Sequence, residues 1–506
     1  MNTPICDFVM DYAASHTIRM HMPGHKGKSP IFLKQNEDFR KNGSEKDDSE
    51  KNGSETKEEL SYEEAFSSIF SYDITEIETA DDLFHPKGII EESEKNASKV
   101  FGCDTYYSTE GSSLCIRAML SLCKTKAGRK IEKEAKNAGQ GAWVMAARNV
   151  HQTFVSACVL LDLDAEWIAS SENTFLSVNI GAGEVMKSLL EGEKKHGSLP
   201  CCVYLTSPDY TGHILPVKEI AEVCREKGVP LVVDNAHGAY LHFLKESLHP
   251  MDLGADLCCD SAHKTLPALT GCAYLHVKNG AFSSKEVKDA MSLFASTSPS
   301  WILLQSLDLL NPLLEGSFRE KLSETIWEVK EGKEKLSASG IFSLGEEPLK
   351  ITIETGDLGY TGEAFAEYLR DGNAPVEVEF SDRDRVVLMI SPGHEKEEIR
   401  KTIEKILSAP KKAPISKDEK TEGTFSEKNV ETAGESSFPE KVLSLREAVF
   451  SEKEEVPVKE SVGRVAALGR YGCPPAVPIV MPGERIGEKQ AALLAYYGHE
   501  TCEVVK

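Results

Sequence analysis

Pro230-Leu231-Val232-Val233-Asp234-Asn235-Ala236-His237-Gly238-Ala239 opens with an apolar run too short for a helix and ends on a carboxylate followed by a turn. Working upstream, Pro216 to Lys227 places Ile220, Val223 and Cys224 at helical spacing, with Gly228 as its stop. Before that, Val203-Tyr204-Leu205-Thr206 reads as a strand ending at Ser207-Pro208. Ala142-Trp143-Val144-Met145-Ala146 reads as another, followed by Arg148-Asn149-Val150-His151. Downstream, Ala255-Asp256-Leu257-Cys258-Cys259 forms a strand ending near Asp260, and Cys272 to Val277 forms one more. Short apolar strands alternating with helices predict an α/β fold with a mostly parallel sheet covered on both faces. Ligands of such sheets bind beyond the carboxyl ends of the strands. Most of the polar residues discussed below fall at those ends.

The chain has 506 residues, 40% hydrophobic and 27% charged, which is globular composition and enough for two or three packed units. Its formal net charge of −23 argues against a nucleic-acid partner, which would need a basic face. None of the 13 cysteines forms a C-x-x-C pair, so buried free thiols in a reducing cytoplasm are expected rather than disulfides or zinc. Met1-Asn2-Thr3-Pro4 starts no secretory signal, and no apolar stretch is long enough to span a membrane. Two polar stretches, about 36–59 (where Lys-Asn-Gly-Ser-Glu occurs at 41–45 and again at 51–55) and 409–439, bury too little apolar surface to offset their chain entropy. The expected organisation is an N-terminal segment (1–95), a major domain (96–295), a small α/β domain (296–408), a linker (409–439) and a C-terminal domain (440–506).

Lys264, in Ser261-Ala262-His263-Lys264-Thr265, follows a buried strand and sits beside a histidine and two hydroxyls, a place where an amine can lose its proton and attack a carbonyl. Taken alone, the motif fits a surface lysine as well. Asp234, at a strand end, can hold a pyridine nitrogen protonated, or cap a helix. His237, just after it, is secondary and can be structural. Gly111-Ser112-Ser113 precedes a helix with Leu114, Ala118 and Leu122 on one face, and Gly and hydroxyl residues at a helix start can receive a phosphate or simply cap the helix. His151 can stack on a flat cofactor or be structural.

Together these motifs resemble the bacterial ornithine/lysine/arginine decarboxylase family, short biosynthetic type, of the pyridoxal-phosphate-dependent aspartate-aminotransferase fold. The resemblance runs in order through His21-Met22-Pro23-Gly24-His25-Lys26-Gly27, Asp73-Ile74-Thr75-Glu76, Asp81-Asp82-Leu83 and Arg148-Asn149-Val150-His151. It continues through Asp234 to Ala239, Ser261 to Thr270, Thr297-Ser298-Pro299-Ser300 and Met481-Pro482-Gly483-Glu484. It implies that Lys264 is the Schiff-base lysine, that Asp234 pairs with the ring nitrogen and that His151 stacks on the ring. Gly111, Ser112, Ser113, Ser261, His237 and His263 would lie around the cofactor. Thr297 and Ser298 would reach the cofactor of a second subunit in a homodimer, and Glu484 would bind substrate, with Asp73 a further acidic candidate. Two positions depart from the family pattern and keep a catalytically silent homologue in view: Asn235 stands where a glutamate is usual, and Glu110 precedes Gly111 in the phosphate loop, where an extra carboxylate is unfavourable unless it points away.

The implied reaction is loss of the α-carboxylate from arginine, lysine or ornithine, giving CO2 and a polyamine precursor, with Lys264 or His263 returning the proton. Competing readings are transamination or elimination on the same fold, and a catalytically silent homologue acting as a regulatory or interaction subunit. His21 and His25 flank the helix-breaking pair Pro23-Gly24, so no metal site is expected there.

Overall fold

The computed structural model describes residues 18–20, 81–133, 142–170, 176–415, 438–468 and 476–506. The motifs at 21–27 and 73–76 and the repeat at 41–55 lie outside them. The strands are β1 (Ile18–Met20), β2 (Asp104–Ser108), β3 (Trp143–Ala146), β4 (Asp164–Trp167), β5 (Val203–Thr206), β6 (Leu231–Asp234), β7 (Leu257–Asp260) and β8 (Ala273–Val277). They continue with β9 (Lys350–Glu354), β10 (Val376–Val378), β11 (Phe380–Ser381), β12 (Arg385–Met389), β13 (Lys453–Pro457) and β14 (Thr501–Val505).

Seven strands form the central sheet in the order β2-β8-β7-β6-β5-β3-β4. From β7 to β4 every pairing is parallel, while β8 runs antiparallel to both neighbours. The direction of β8 is a consequence of its connection. Between β7 and β8 the chain makes one short helix, Ala262–Thr265, too short to carry it back along the sheet for a parallel return. The strands β3, β5, β6 and β7 are apolar along their length because helices cover both faces. On one side lies α2 (Gly111–Lys133), whose Leu114, Ala118 and Leu122 are buried as their spacing predicts, with α7 (Ser284–Ser292) in the same core through Val287 and Met291. On the other lie α4 (Ala182–His196) and α5 (Val217–Lys227), packed through Val185, Leu189, Ile220 and Cys224.

A second core joins α1 (Ile89–Phe101), α8 (Trp301–Glu315), α9 (Phe318–Ala338) and the antiparallel sheet β11-β12-β9. The inner edge of this region is pinned to the loop after β5: Glu347 N donates to Gly212 O at 2.9 Å and Thr352 Oγ1 to Thr211 O at 2.9 Å. Residues 409–415, the first of the expected linker, run along Gly356–Tyr360, with Ile415 N donating to Gly356 O at 2.9 Å.

The C-terminal part pairs β13 with β14 and carries its own small core of Val458, Ile479, Ile486, Leu494 and Val504. It leans on the first core through Leu445 and Met481. Gly483 sits at φ +86° with Leu443 O only 2.3 Å from where a Cβ would stand, so only glycine fits that turn. Cysteines at the described positions are free, and all but Cys502 are buried. Burial pushes the Cys103 thiol up to about 12, which makes it an inert core group. No helix among the described residues is long and apolar enough to cross a membrane.

Candidate active site

The carboxyl ends of β3, β5, β6 and β7 open on one region, and each contributes a turn. After β7 the chain makes a single helical turn, α6 (Ala262–Thr265), which presents Lys264. After β6 a tight turn, closed by Gly238 N donating to Asn235 O at 2.7 Å, swings His237 toward it. Lys264 Nζ and His237 Nε2 are 2.9 Å apart. The other ring nitrogen of His237, Nδ1, is 2.9 Å from Lys350 Nζ on β9. The ring is further held by Tyr210, edge-on with centroids 4.9 Å apart. Burial, reinforced by the two lysines, keeps His237 well below the usual imidazole range, so the ring is neutral.

Asp234 is buried and accepts hydrogen bonds from Ala236 N at 3.1 Å and the Tyr204 hydroxyl at 3.2 Å. Cys259 Sγ lies 3.6 Å from it. Among the described residues no lysine, arginine or histidine reaches it at ion-pair distance. Burial therefore raises its pKa, and the more distant Lys264 only partly opposes this. A cation placed against this carboxylate would be strongly favoured.

His151 caps α3 (Gln152–Leu161): its Nδ1 accepts Thr153 N–H at 3.1 Å. In the neutral ring the proton is then on Nε2. Burial, with Lys264 and Arg117 adding to it, pushes His151 down to about 4, which leaves a flat, uncharged ring at neutral pH. Thr153 Oγ1 also meets Ser113 Oγ at 3.2 Å, tying this turn to the start of α2. There Gly111, at φ +67°, turns the chain into the helix. Ser261 Oγ donates to Ser112 Oγ at 2.9 Å, so two expected phosphate ligands from distant segments are neighbours. Thr265 Oγ1 is buried with no hydrogen-bond partner. Hydroxyls clustered at a helix N-terminus make an anion site. His263 gives Nδ1–H to Cys272 O at 2.9 Å, so its neutral form offers Nε2 as an acceptor.

One expectation needs adjustment, and the two departures from the family pattern find their place. Glu484, expected to bind substrate, is buried and already committed: it accepts Arg148 Nη2 at 2.7 Å and Met481 N at 2.9 Å. Arg148 lies three residues before His151, and Gln152 N donates to Ala476 O at 2.7 Å. The C-terminal part thus clamps the turn that carries His151, and Glu484 is part of that clamp. Asn235 points away from Lys264 and donates to Asp260 Oδ1 at 2.6 Å. Glu110 turns outward to accept Ser296 N at 2.7 Å, so it adds no charge to the anion site. Thr297 and Ser298 are exposed.

Lys350 and its partner Glu347 were missed by the motif reading, as were Tyr204, Tyr210 and Thr153. Lys350 stands in the alternating run Leu349-Lys350-Ile351-Thr352-Ile353, where a charged residue reads as solvent-facing. A lysine inside a run that also needs burial on its polar face was the available signal.

An amine beside a neutral imidazole, a buried carboxylate awaiting a cation, a flat histidine and a hydroxyl-lined helix start are together suited to a phosphorylated carbonyl compound with a basic ring nitrogen. The model of the Orn/Lys/Arg decarboxylase major domain matches residues 55–344, and that of the C-terminal domain of the same enzymes matches residues 430–501. The chain belongs to the Orn/Lys/Arg decarboxylase family. It is 28% identical to an arginine decarboxylase of Halalkalibacterium halodurans, over 97% of this chain and 92% of that one. To an arginine decarboxylase of Bacillus subtilis it is 27% identical, over 97% and 93%. Among solved structures, lysine decarboxylase A from Pseudomonas aeruginosa superposes with a TM-score of 0.68, at 17% identity over 87% of this chain and 76% of that one. The constitutive lysine decarboxylase of E. coli gives 0.62, at 18% identity over 82% and 72%. These likenesses agree with the α/β fold described above. The chain is a decarboxylase of the basic amino-acid class.

Proposed function

We propose that the protein decarboxylates arginine, using pyridoxal phosphate held by Lys264. The observation that carries this reading is the convergence of Lys264, His237, Asp234 and His151 at the carboxyl ends of β7, β6 and β3. The match of the donor set to the cofactor supports it. Asp234 is a buried carboxylate with no cation at ion-pair distance among the described residues, Thr265 Oγ1, on the residue after Lys264, is a buried hydroxyl lacking a partner, and Ser112, Ser113 and Ser261 gather at a helix start. When bound, pyridoxal phosphate supplies an aldehyde for an amine and a protonated ring that takes up the electron pair left when a bond to the amino acid's α-carbon breaks.

The residues of this chain have separable tasks. Asp234, buried, would keep a ring nitrogen charged. His151, neutral and held at Nδ1 by Thr153, offers a flat face at fixed tilt. Ser112, Ser113, Ser261 and the first N–H groups of α2, with Gly111 setting the turn, take the phosphate. Lys264 would be the amine that holds the cofactor's aldehyde, and Lys264, once protonated, or His263 beside it would return a proton to the α-carbon. Arginine is favoured over lysine and ornithine because full-length relatives carry that name.

The domain division given above, a homodimer in which the exposed Thr297 and Ser298 face the partner's cofactor, a cytoplasmic location and a role in supplying polyamine precursors belong to the same proposal. The silent-homologue reading loses its motive, since Asn235 and Glu110 both point away from Lys264. The test is CO2 release from the cofactor-loaded protein with arginine, lysine and ornithine in turn, beside borohydride reduction and peptide mapping. Release with arginine and a reduced pyridoxyl group on Lys264 are expected. A keto acid in place of CO2, or a modified lysine elsewhere, would sink the proposal.

A further inference from the structure

Lys350 lies on β9, in the second core, and reaches into the site from outside the central sheet. Its Nζ has three neighbours: Glu347 Oε2 at 2.7 Å, His237 Nδ1 at 2.9 Å and Asp209 O at 3.1 Å. An ammonium has N–H donors and no acceptor, so it can only donate to His237 Nδ1 and Asp209 O, while Glu347 pairs with its charge. The Lys350 and Glu347 side chains are both about 1% exposed, and a charge there is kept only if paired.

The consequence passes through His237. A neutral imidazole has one N–H and one lone pair. If Nδ1 accepts from Lys350, the proton must be on Nε2, and Nε2–H then donates to Lys264 Nζ at 2.9 Å. An ammonium cannot accept that bond, whereas a free amine can. The reverse assignment would need a neutral Lys350 beside the Glu347 carboxylate, which is the costlier arrangement. We propose that Lys350 is a positioning residue that fixes His237 as the Nε2–H tautomer and thereby holds Lys264 as the free amine, ready to attack an aldehyde.

Other titratable or charged groups surround this chain of three. Asp234 on β6 favours a charged Lys264 and His151 before α3 disfavours one, while His263 on α6 acts on His237 and Arg117 on α2 acts on His151. Glu347 and, on α9, Lys333 act on Lys350. Asp234 opposes the free amine from beyond ion-pair distance, and a ring nitrogen seated on it would remove that opposition.

The use of the free amine in catalysis rests on the reading of Lys264 given above, whereas the protonation state does not, and one set of measurements separates them. In the cofactor-free full chain, Lys264 is labelled with trace acetic anhydride across pH and quantified by peptide mass spectrometry. Half-maximal labelling is expected at least about two pH units below the ~10.4 of an ordinary lysine. In the K350M/E347Q double variant, which removes both buried charges together, the midpoint is expected to rise by about one unit or more. A wild-type midpoint near that of surface lysines, or no rise in a folded variant, would overturn the inference. Should the variant not fold, long-range 1H–15N spectra of the wild type decide: Nε2–H at His237 supports the inference, and Nδ1–H or a cationic ring overturns it. Absence of pyridoxyl on Lys264 after borohydride would defeat the catalytic reading and leave the labelling result intact.

Discussion

Asp234 and Asp260 end adjacent parallel strands, both are buried, and their environments push them in opposite directions. In register Asp234 lies across from Cys259, so Asp260 is one residue further on and points to the other face of the sheet. There it meets His249 Nε2 at 3.0 Å, His276 Nε2 at 3.0 Å and Asn235 Nδ2 at 2.6 Å. Burial alone would raise its pKa, but the two histidines and their hydrogen bonds outweigh it and hold the carboxyl well below the usual range. Asp234 has a hydroxyl, a thiol and one backbone N–H, and burial wins. The difference teaches that burial of a carboxylate says little about its use. A completed set of partners marks a structural group, and an incomplete one marks a place where a ligand supplies what is missing.

The largest expected effect is structural. Asp260→Asn leaves two buried histidines and Asn235 facing an amide, and breaking a buried charge network of this kind costs about 3–5 kcal/mol. Denaturant unfolding should show that loss. The pH dependence sharpens it. With a folded pKa below its unfolded value of ~3.9, Asp260 contributes stability that is present above that pH and fades as pH falls toward the folded value. Asp234, with a raised folded pKa, has the opposite sign: its contribution is present below ~3.9 and is lost as pH rises through its folded pKa. Acid unfolding curves of the two Asn variants should therefore diverge from wild type in opposite directions.

Asp234→Asn should leave the cofactor-free protein as stable as wild type or more so, because it removes a buried charge that has no cation at ion-pair distance among the described residues. Turnover should fall on the order of 10²–10³-fold, the scale for loss of one preorganised electrostatic group. Cofactor binding should also cease to raise the melting temperature as much. A variant that is both destabilised and fully active would reverse the assignment of the two aspartates.

Glu484 stands between these extremes. Its partners are complete, yet what it completes is the turn bearing His151. Glu484→Gln keeps the Met481 hydrogen bond and loses the charge facing Arg148, whose Nη1 is already buried without a partner. Arg148 retains its stacking over Trp167 at 5.0 Å. A loss of about 1.5–3 kcal/mol in stability is expected, the range for hydrogen bonds to charged groups. Cofactor affinity should weaken with it while the substrate's KM changes little. A large rise in KM for arginine alone would return Glu484 to the substrate.

What was legible in the sequence follows from the range of the interactions. The strands β3, β5, β6 and β7 and the helix α5 announce themselves by local apolar patterns, and the residues just past the strand ends inherit their place. Lys264, Asp234, His151 and the Ser112–Ser261 pair were accessible in that way. The reversal of β8 was not, because an apolar run carries no direction. Neither was Lys350, since its meaning comes from His237, 113 residues earlier in the chain. The role of Glu484 likewise depends on an arginine 336 residues away, and the motif that contains it names no partner.

The smallest effect concerns Glu110, whose position beside the anion site suggested interference. A carboxylate near a phosphate is unfavourable if both face the same space. Here Glu110 is exposed and its Oε1 accepts Ser296 N, so the charge is turned toward water and toward the segment bearing Thr297 and Ser298. Screening by solvent and salt leaves such a charge little influence on a neighbouring site. Glu110→Gln retains an acceptor for Ser296 N, and cofactor affinity should change less than about threefold, well under 1 kcal/mol and in keeping with exposed charges elsewhere. If Glu110→Gln tightened pyridoxal phosphate binding tenfold or more in low salt, the carboxylate would have to act on the phosphate, and the outward turn described here would not be the conformation that binds it.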